Sequence, residues 1–410
     1  MLTLTPRRHC TIAVAAWLAL ALQPARAVAQ EPAPTSRTAV IEQAKREKHT
    51  VLQPYTPNKV ETAIDRAEDL FLSGRLHWHP FFESAYAGGG FTLGAGYRRF
   101  VSPYNTIDLR GSITFSGYKR IEAEFLAPRL FDRRGVLSVV GGWREATSVG
   151  FYGIGTGATS VDDRANYSFN QPYASAMLDF WPTRRLLLLR GGLELSQWKQ
   201  EAGGGSAPSV EEVYTPSTLP GLGASPTYLH VQGTVGLDSR TSPFYARRGG
   251  FYGVTAHQFT DTDDAYSFTK MEYEAIQHIP VLRDAWVLSL RARVETASAG
   301  DDSDIPFFML PALGGGSSLR GFSSWRFRDR NSVMWQAEWR VLANRFLDMA
   351  VFVDAGKVTA RASDLNNFHD MKKDYGLGFR IHGPASTPLR IEFAKSNEGL
   401  ALVFSSKAPF

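Results

Sequence analysis

From residue 79 onward, the sequence alternates between apolar and polar residues with a period of two in one segment after another. In one segment the apolar positions are Ile107, Leu109 and Ile113, and the polar ones are Asp108, Arg110, Ser112 and Thr114. In another, Leu288, Leu290, Ala292 and Val294 alternate with Ser289, Arg291, Arg293 and Glu295. This period predicts β-strands with one apolar and one polar face. A soluble β-sandwich would carry the same alternation, so the pattern alone leaves two architectures open.

The number of such segments favours a transmembrane barrel. About eleven runs precede a long glycine-rich connector and about five follow it, which gives about sixteen strands, an even number as in bacterial barrels. The earlier runs lie near 79–87, 91–101, 106–116, 118–128, 136–152, 166–182, 186–200, 226–240, 248–261, 266–281 and 285–297. The first two are expected to form a hairpin across residues 87–90. The long connectors 153–165, 201–225 and 298–330 then fall at one end. The predicted fold class is all-β, an antiparallel transmembrane barrel over residues 77–410.

Residues 1–29 have the pattern of a secretory signal peptide. Arg7 and Arg8 form a basic start, residues 11–22 are apolar, and small residues at 25–29 suit a cleavage site. The alternative, a transmembrane anchor, needs an apolar run of ~18 residues, and this run is shorter. The only cysteine, Cys10, would leave with the signal, so no disulfide or thiolate metal site is expected. Export and a barrel together predict the outer membrane of a Gram-negative cell.

The net charge bears on possible partners, and the segment after the signal bears on the domain organisation. The formal net charge of +5, less the three arginines of the signal, leaves +2, which gives no support for a nucleic-acid partner. Residues 30–76 are predicted to be a short helical periplasmic segment. Apolar residues recur there at helical spacing between Asn58 and Gly74, after a more polar helix near residues 38–48.

Residues 313–358 suggest a loop that folds back into the barrel. The loop LGGGSSLRGFSSWRFRDRN is followed by two alternating strands. The polar face of the first strand holds Gln336, Glu338 and Arg340, and one face of the second holds Phe352, Asp354 and Gly356. Trp335 and Trp339 lie on the opposite, apolar face, which suits lipid. An arginine in the loop and acids on two lumen-facing strands predict that ion pairs pin the loop inside.

The sequence resembles the BamA/TamA-type surface antigens of the bacterial outer membrane. LRGF at 319–322 is similar to their loop signature, and FVDAG at 352–356 is similar to their F-x-D-x-G strand motif. Further similarity lies at 150–160, 238–250 and 374–394. The resemblance implies a barrel that inserts or moves proteins or other amphipathic cargo, and that barrel assembly machinery acts in its biogenesis. The chain departs from the family pattern because residues 30–76 are too few for a POTRA domain, since compact domains begin near ~50 residues.

The resemblance implies a latch that holds the loop inside the barrel. In the family, the loop arginine is held by acids on the two strands that follow it. A guanidinium is a rigid fork that suits carboxylates, and a partly desolvated lumen strengthens such pairs. Two roles stay open, a latch that sets a translocation-competent loop and a purely structural strut. The residues of this predicted latch are Arg320, Gly321, Phe322, Glu338, Asp354 and Gly356.

A second candidate site is the seam between the last and first strands, with Pro409, Phe410, Gly88 and Gly89 as its predicted residues. Proline donates no ladder hydrogen bond and glycine offers no cross-strand side chain, so both should weaken the pairing that closes the barrel. The alternative is that Pro409 lies beyond the last ladder bond. The terminal aromatic Phe410 resembles the signal that assembly machinery recognises on outer-membrane barrels.

No pattern in the sequence predicts catalysis, a cofactor or a metal. The glycines at 153–157 lack a P-loop lysine, and no Gly-x-Ser-x-Gly elbow occurs. His77 and His79 have ligand spacing but no third ligand nearby, so they are interpreted as interfacial aromatic-belt residues. The favoured function is a non-enzymatic insertase or translocase in contact with outer-membrane lipid and lipopolysaccharide. A separately encoded periplasmic partner or a protein cargo are further candidates, and the alternative function is a passive pore or structural barrel.

Overall fold

The computed structural model describes residues 40–45, 77–157, 160–183, 186–242, 245–282, 285–344, 346–383, 387, 389–408 and 410. The chain divides into two units, Met1–Ile64 and Asp65–Phe410. In the first unit, residues 40–45 are helical, within the span predicted for the more polar helix. The predicted signal peptide and the predicted helix at 58–74 lie outside the described residues. No helix in the described ranges is long and apolar enough to cross a membrane.

The second unit is an antiparallel meander of sixteen wall strands, which confirms the predicted fold class. Its 17-stranded sheet contains β8, which continues β7 past Trp198 along the same neighbour, β6. The wall strands are β1 (Trp78–Pro80), β2 (Thr92–Phe100), β3 (Thr106–Thr114), β4 (Lys119–Arg129), β5 (Gly135–Phe151), β6 (Ala165–Phe180), β7 (Leu187–Gln197) with β8 (Lys199–Ala202), β9 (Thr227–Asp238), β10 (Gly249–Asp261), β11 (Phe268–Leu282), β12 (Trp286–Ala299), β15 (Asn331–Leu342), β16 (Leu347–Thr359), β17 (Lys372–Ile381), β18 (Leu389–Ser396) and β19 (Gly399–Ser405).

The smaller elements lie in the connections. Two short strands, β13 (Ala312–Leu313) and β14 (Phe327–Arg328), pair with each other between β12 and β15. Single helical turns occupy Leu130–Arg133 and Val210–Val213, and 3-10 turns occupy Val161–Asp163, Phe307–Met309 and Ala362–Asn366.

The polarity of the wall is reversed relative to a soluble sandwich. On β16 the outward-facing Val351 is 58% exposed, whereas the inward-facing Asp354 is 0% exposed. The same alternation holds on β3, where Leu109 is 53% exposed and Asp108 is 2% exposed. An apolar outer face and a buried polar inner face are the arrangement of a barrel in lipid, and this resolves the alternative that the sequence left open.

Connections of very different length separate the two ends of the barrel. Short turns such as 101–105 join strands at one end, called here the short-turn end. The connectors 152–164, 203–226 and 300–330 lie at the other, the long-loop end. There Phe307 reaches from the connector after β12 to the opposite wall, with its ring 5.1 Å from Phe151 and 5.0 Å from Tyr167. A buried core therefore fills the interior at this end, with members that include Trp198, Val210, Leu219, Tyr228, Phe259, Phe268 and Phe308.

The connector 239–248, part of the sequence similarity at 238–250, crosses the short-turn end. Tyr245 donates a hydrogen bond to Asp348 at the start of β16, and its ring stacks 3.9 Å from His382. Arg340 of β15 donates to the carbonyl oxygen of Ala246. The Tyr245 side chain and the Ala246 carbonyl oxygen therefore contact a part of the wall several strands away.

The first wall strand is shorter than predicted. The expected strand at 79–87 is realised only as Trp78–Pro80. The amide of Phe81 donates to the carbonyl oxygen of Gly94 at 2.9 Å, and residues 82–91 do not continue the ladder as a hairpin. The backbone of this segment is bound from inside instead, because the Ser112 hydroxyl donates to the carbonyl oxygen of Glu83 at 2.6 Å. The interpretation of His79 as an interfacial residue is also wrong. Its ring faces the interior and hydrogen-bonds Asp108 at 2.9 Å.

Candidate functional site

The loop between β12 and β15 folds back into the barrel and carries three of the predicted latch residues, Arg320, Gly321 and Phe322. The β13–β14 pair closes its base, and the amide of Gly315 donates to the carbonyl oxygens of Leu319 and Phe322, each at 3.0 Å. Gly314 has a φ of +118°, and a Cβ there would lie 2.2 Å from the carbonyl oxygen of Ser323. A glycine is therefore required for this tight turn, which presents Arg320 to the wall.

Arg320 is fully buried and binds carboxylates on three wall strands. Its Nε and Nη2 donate to the two carboxylate oxygens of Asp354, each at 2.7 Å, which is a bidentate pair. Its Nη1 donates to Glu338 and to Glu392, each at 3.1 Å. The guanidinium also lies 3.4 Å from the ring centroid of Phe352. The structure thus brings Arg320, Glu338 and Asp354 together, as the sequence predicts, and adds Glu392.

A second buried arginine completes this network. Arg380 of β17 donates to both oxygens of Glu338 and, at 2.8 Å, to Glu392. Three carboxylates therefore share two guanidinium groups, and no side chain of the five is more than 2% exposed. The sequence analysis missed Arg380 and Glu392 because no motif marks them. The period-two alternation of β17 and β18, continued to the end of the chain, places both on the inward face.

The three remaining latch residues allow close approach between loop and wall. A Cβ at Gly321 would lie 2.6 Å from the Cβ of Asp374, and the Gly321 carbonyl oxygen accepts a hydrogen bond of 2.7 Å from Ser396. A Cβ at Gly356 would lie 2.9 Å from Leu313. Phe322 is buried in an apolar cluster beneath the loop, whose other members are Leu313, Leu319, Phe327, Met334 and Val358.

The seam lies between β19 and the first strands, and no ladder closes it within the described residues. β19 pairs with β18, and β1 pairs with β2, but no register joins β19 to β1 or β2. A cavity of about 800 Å³ separates β19 from residues 82–91. An ion pair of 2.8 Å between Lys407 and Glu83 connects the two sides.

The internal loop reaches both sides of this seam. On the β18–β19 side, Arg390 donates to the carbonyl oxygen of Gly316 at 2.8 Å, and Arg326 donates to Glu398 at 2.9 Å. On the other side, the indole of Trp325 donates to the carbonyl oxygen of Ala87 at 2.9 Å, and its ring stacks 4.5 Å from that of Tyr86. The loop therefore supplies contacts where the wall strands supply no ladder.

The residues predicted for the seam have separate surroundings. Gly88, with a φ of +98°, faces Ser324 of the loop, and Gly89 packs against Tyr118 and Thr114. Phe410 lies beyond the end of β19, with its ring 6.2 Å from His278 of β11 and 6.0 Å from the guanidinium of Arg291 of β12. It therefore lies against those strands and not along the seam. Pro409 is outside the described residues.

No metal centre is evident in the part of the chain that the structure describes, since no group of three or more His, Cys, Asp or Glu side chains there could hold an ion. The candidate site is therefore the internal loop, its network of ion pairs and the seam beside it.

Comparisons with known proteins agree with this architecture. The Omp85 superfamily domain matches residues 84–399. A BamA structure from Haemophilus ducreyi that lacks POTRA domains 1–3 is similar with a TM-score of 0.57 and 15% identity, over 78% of this chain and 67% of that one. CdiB from Escherichia coli gives a TM-score of 0.50 and 13% identity, over 79% of this chain and 58% of that one. CdiB from Acinetobacter baumannii gives 0.49 and 13%, over 77% and 55%. No curated protein sequence matches.

Proposed function

The chain belongs to the Omp85 superfamily of outer-membrane barrels, and from this premise we propose that it inserts or translocates amphipathic cargo through its seam. The observation that carries the proposal is the seam itself. Among the residues that the structure describes, sixteen strands form the wall, yet the first and last have no ladder between them, and the internal loop bridges the gap. Such a seam can open without breaking backbone hydrogen bonds of the wall.

The buried network gives the loop a fixed position from which to bridge the seam. Arg320 is held by three carboxylates, and removing one member of a buried pair leaves an uncompensated charge, so the loop has a strong preference for this arrangement. We infer that Arg320, Glu338, Asp354 and Glu392 form a latch. Release of the loop from the latch would remove Trp325 from Ala87 and free the seam.

The orientation follows from the connections. In bacterial barrels, short turns face the periplasm and long loops face the outside. Residues 203–223 would then be extracellular and residues 31–74 periplasmic, after export by the signal at residues 1–29. A protease added to intact cells should cleave within 203–223 and leave 31–74 intact. The opposite pattern would invert this orientation.

A passive pore is the rival function, and the interior gives it little support. The aromatic core fills the long-loop end, and an ion would have to displace its packed side chains. At the short-turn end, Tyr245 contacts Asp348, and Arg340 donates to the carbonyl oxygen of Ala246. A stable open conductance of the wild-type chain in planar bilayers would favour the rival.

The proposal is tested by closing the seam covalently. Cysteines replace Phe82 and Leu402, which line the cavity from opposite sides, in a Cys10→Ser background. A direct disulfide needs Cβ atoms ~3.8 Å apart, so a longer, reducible bis-thiosulfonate reagent joins the two thiols across the cavity. The readout is the rate at which an unfolded outer-membrane barrel inserts into vesicles that contain the chain.

The chain should accelerate this insertion, the cross-link should abolish the acceleration, and reduction should restore it. A matched control joins cysteines at Leu109 and Ala123, which face each other across the paired strands β3 and β4. This second cross-link should have no effect. Undiminished insertion with the seam verifiably joined would rule out opening at the seam.

A further inference from the structure

The cavity at the seam passes through the barrel wall. Alternate residues of a strand point to opposite faces, yet the cavity is lined by inward-facing Ala401 and Val403 and also by outward-facing Leu402 and Phe404. On the other side it is lined by Phe82 and Phe91, which are 42% and 47% exposed. The cavity is therefore continuous from the polar interior to the lipid-facing surface.

Two arginines that line the inner part of this cavity lack full partners. Arg390 is 3% exposed, and its Nε and Nη1 make no hydrogen bond among the described residues. Its Nη1 lies 3.7 Å from a carboxylate oxygen of Glu392, which is too far for a hydrogen bond. A buried guanidinium with unbonded N–H groups is costly to leave unpaired, so this position favours a bound acceptor.

The second arginine, Arg144 of β5, lies directly opposite Arg120 of β4 in the register. Arg120 is neutralised by Glu122 at 2.7 Å and Glu83 at 3.2 Å. Arg144 donates to the neutral side chain of Gln171 and lies 5.6 Å from the ring centroid of Trp198, without an ion pair to the described residues. A half-buried guanidinium whose hydrogen-bond acceptor is a neutral amide favours a bound anion.

We propose that the seam cavity binds an anionic amphiphile with a phosphate group. The phosphate accepts hydrogen bonds from Arg144 and Arg390, because guanidinium forks match phosphate oxygens. The acyl chains pass between Phe82 and Phe91 on one side and Leu402 and Phe404 on the other, into the bilayer. The apolar outer half of the cavity selects a lipid over a free anion, since a soluble ion would leave those four side chains uncovered.

The test measures lipid binding by the full chain in a neutral detergent, using native mass spectrometry. Phosphatidylglycerol and lipid A represent the two sources of a phosphate-bearing amphiphile, and phosphatidylcholine, which has a phosphate but no net charge, is the comparison lipid. Inorganic phosphate is added as a competitor. The variants are Arg144→Gln and Arg390→Gln. The control is Arg190→Gln, because Arg190 is bound to Asp179 at 2.7 Å and does not line the cavity.

Phosphatidylglycerol, lipid A or both should bind more tightly than phosphatidylcholine. Each test variant should lower that affinity by roughly tenfold, as expected for a lost charge-assisted hydrogen bond, and Arg190→Gln should not. Preference for one anionic lipid identifies the source. Equal binding of all three lipids, or equal loss in the control, would overturn the proposal. So would binding of inorganic phosphate alone.

A further variant distinguishes a loss of lipid binding from a failure to fold, which could otherwise explain the result for the arginine variants. Ala401→Phe fills the cavity from β19 without changing any charge, and its folded state is checked by heat-modifiable gel mobility. It should reduce binding of the preferred lipid while the chain stays folded. Unchanged lipid binding in folded Ala401→Phe would place the lipid elsewhere on the barrel.

Discussion

The latch and the seam lie side by side and are built in opposite ways. At the latch, five charged side chains are buried and hydrogen-bonded to one another across β15, β16, β17, β18 and the loop. At the seam, neighbouring strands share no ladder, a cavity of about 800 Å³ takes the place of packing, and the Lys407–Glu83 pair joins the sides. At the latch, every side-chain nitrogen of Arg320 donates a hydrogen bond, whereas at the seam a cavity lies between the two edges.

This difference indicates where the barrel wall can open. Closed barrels remove strand edges by pairing them, and an unpaired edge is a place where another chain or a lipid can enter. The chain keeps this edge but bridges it with a loop whose anchor is a buried ion-pair network. We therefore predict large losses of stability for changes at the latch and small losses for changes at the seam ion pair.

The largest expected effect comes from reversing charge at the latch. Arg320→Glu would place a fourth acid beside Asp354, Glu338 and Glu392. Breaking a buried pair by removal of one partner destabilises by about 3–5 kcal/mol. Unfolding of the purified barrel in urea, followed by heat-modifiable gel mobility, measures this loss.

The direct contact between Arg320 and Asp354 is tested by a second substitution, at Asp354. Asp354→Arg in the Arg320→Glu background should restore part of the stability, because residues in direct contact give a coupling energy in a double-mutant cycle. Strictly additive effects of the two substitutions would contradict the pairing and make the two regions more alike than proposed.

The next effect concerns the close approach of loop and wall. Gly321→Ala would place a methyl group 2.6 Å from the Cβ of Asp374, and overpacking of this kind destabilises by about 1–3 kcal/mol. Gly141→Ala is the matched control, because a Cβ at that wall position meets no atom within 4 Å. Equal unfolding midpoints for the two variants would show that the loop is not packed tightly against β17.

A smaller effect is expected where the loop meets the first strands. Trp325→Ala removes the stacking on Tyr86 and the hydrogen bond to Ala87, and an aromatic pair contributes about 0.5–1.5 kcal/mol beyond its buried area. Its main result should be faster proteolysis of residues 81–91. The control Trp335→Ala, at an outward-facing position of β15, should leave that cleavage rate unchanged.

The smallest effect is expected at the seam ion pair. Lys407 is 67% exposed, and exposed pairs contribute about 0–1 kcal/mol and are screened by salt. Lys407→Gln should therefore change the unfolding midpoint in urea by less than any change above, and by less still in high salt. A loss as large as that of Arg320→Glu would contradict the contrast between the two regions.

Most of the fold follows from local pattern. The period of two fixes which face of each strand points inward, and it places Glu338, Asp354 and Gly356 correctly before any contact is known. The same rule applied to β17 and β18 would have placed Arg380 and Glu392 on the inward face. No motif marks these two residues, because the family resemblance points only to acids on the two strands that follow the loop.

The path of the chain at the seam could not be predicted from local sequence pattern. The sequence predicts a strand over residues 79–87, but residues 82–87 do not form one. Their path is set instead by partners far away in the chain, since Trp325 binds Ala87 across 238 positions of sequence. No short-range signal marks such a contact, so the end of β1 could be learned only from the three-dimensional structure.

The central claim is that the latch holds the seam together, and a distance across the seam tests it most directly. Spin labels on cysteines at Phe82 and Leu402, in the Cys10→Ser background, report this distance by pulsed electron resonance in lipid nanodiscs. We predict one narrow distribution of distances with the latch intact, and a broader distribution centred at a longer distance in Arg320→Ala. An identical narrow distribution in folded Arg320→Ala would contradict the claim.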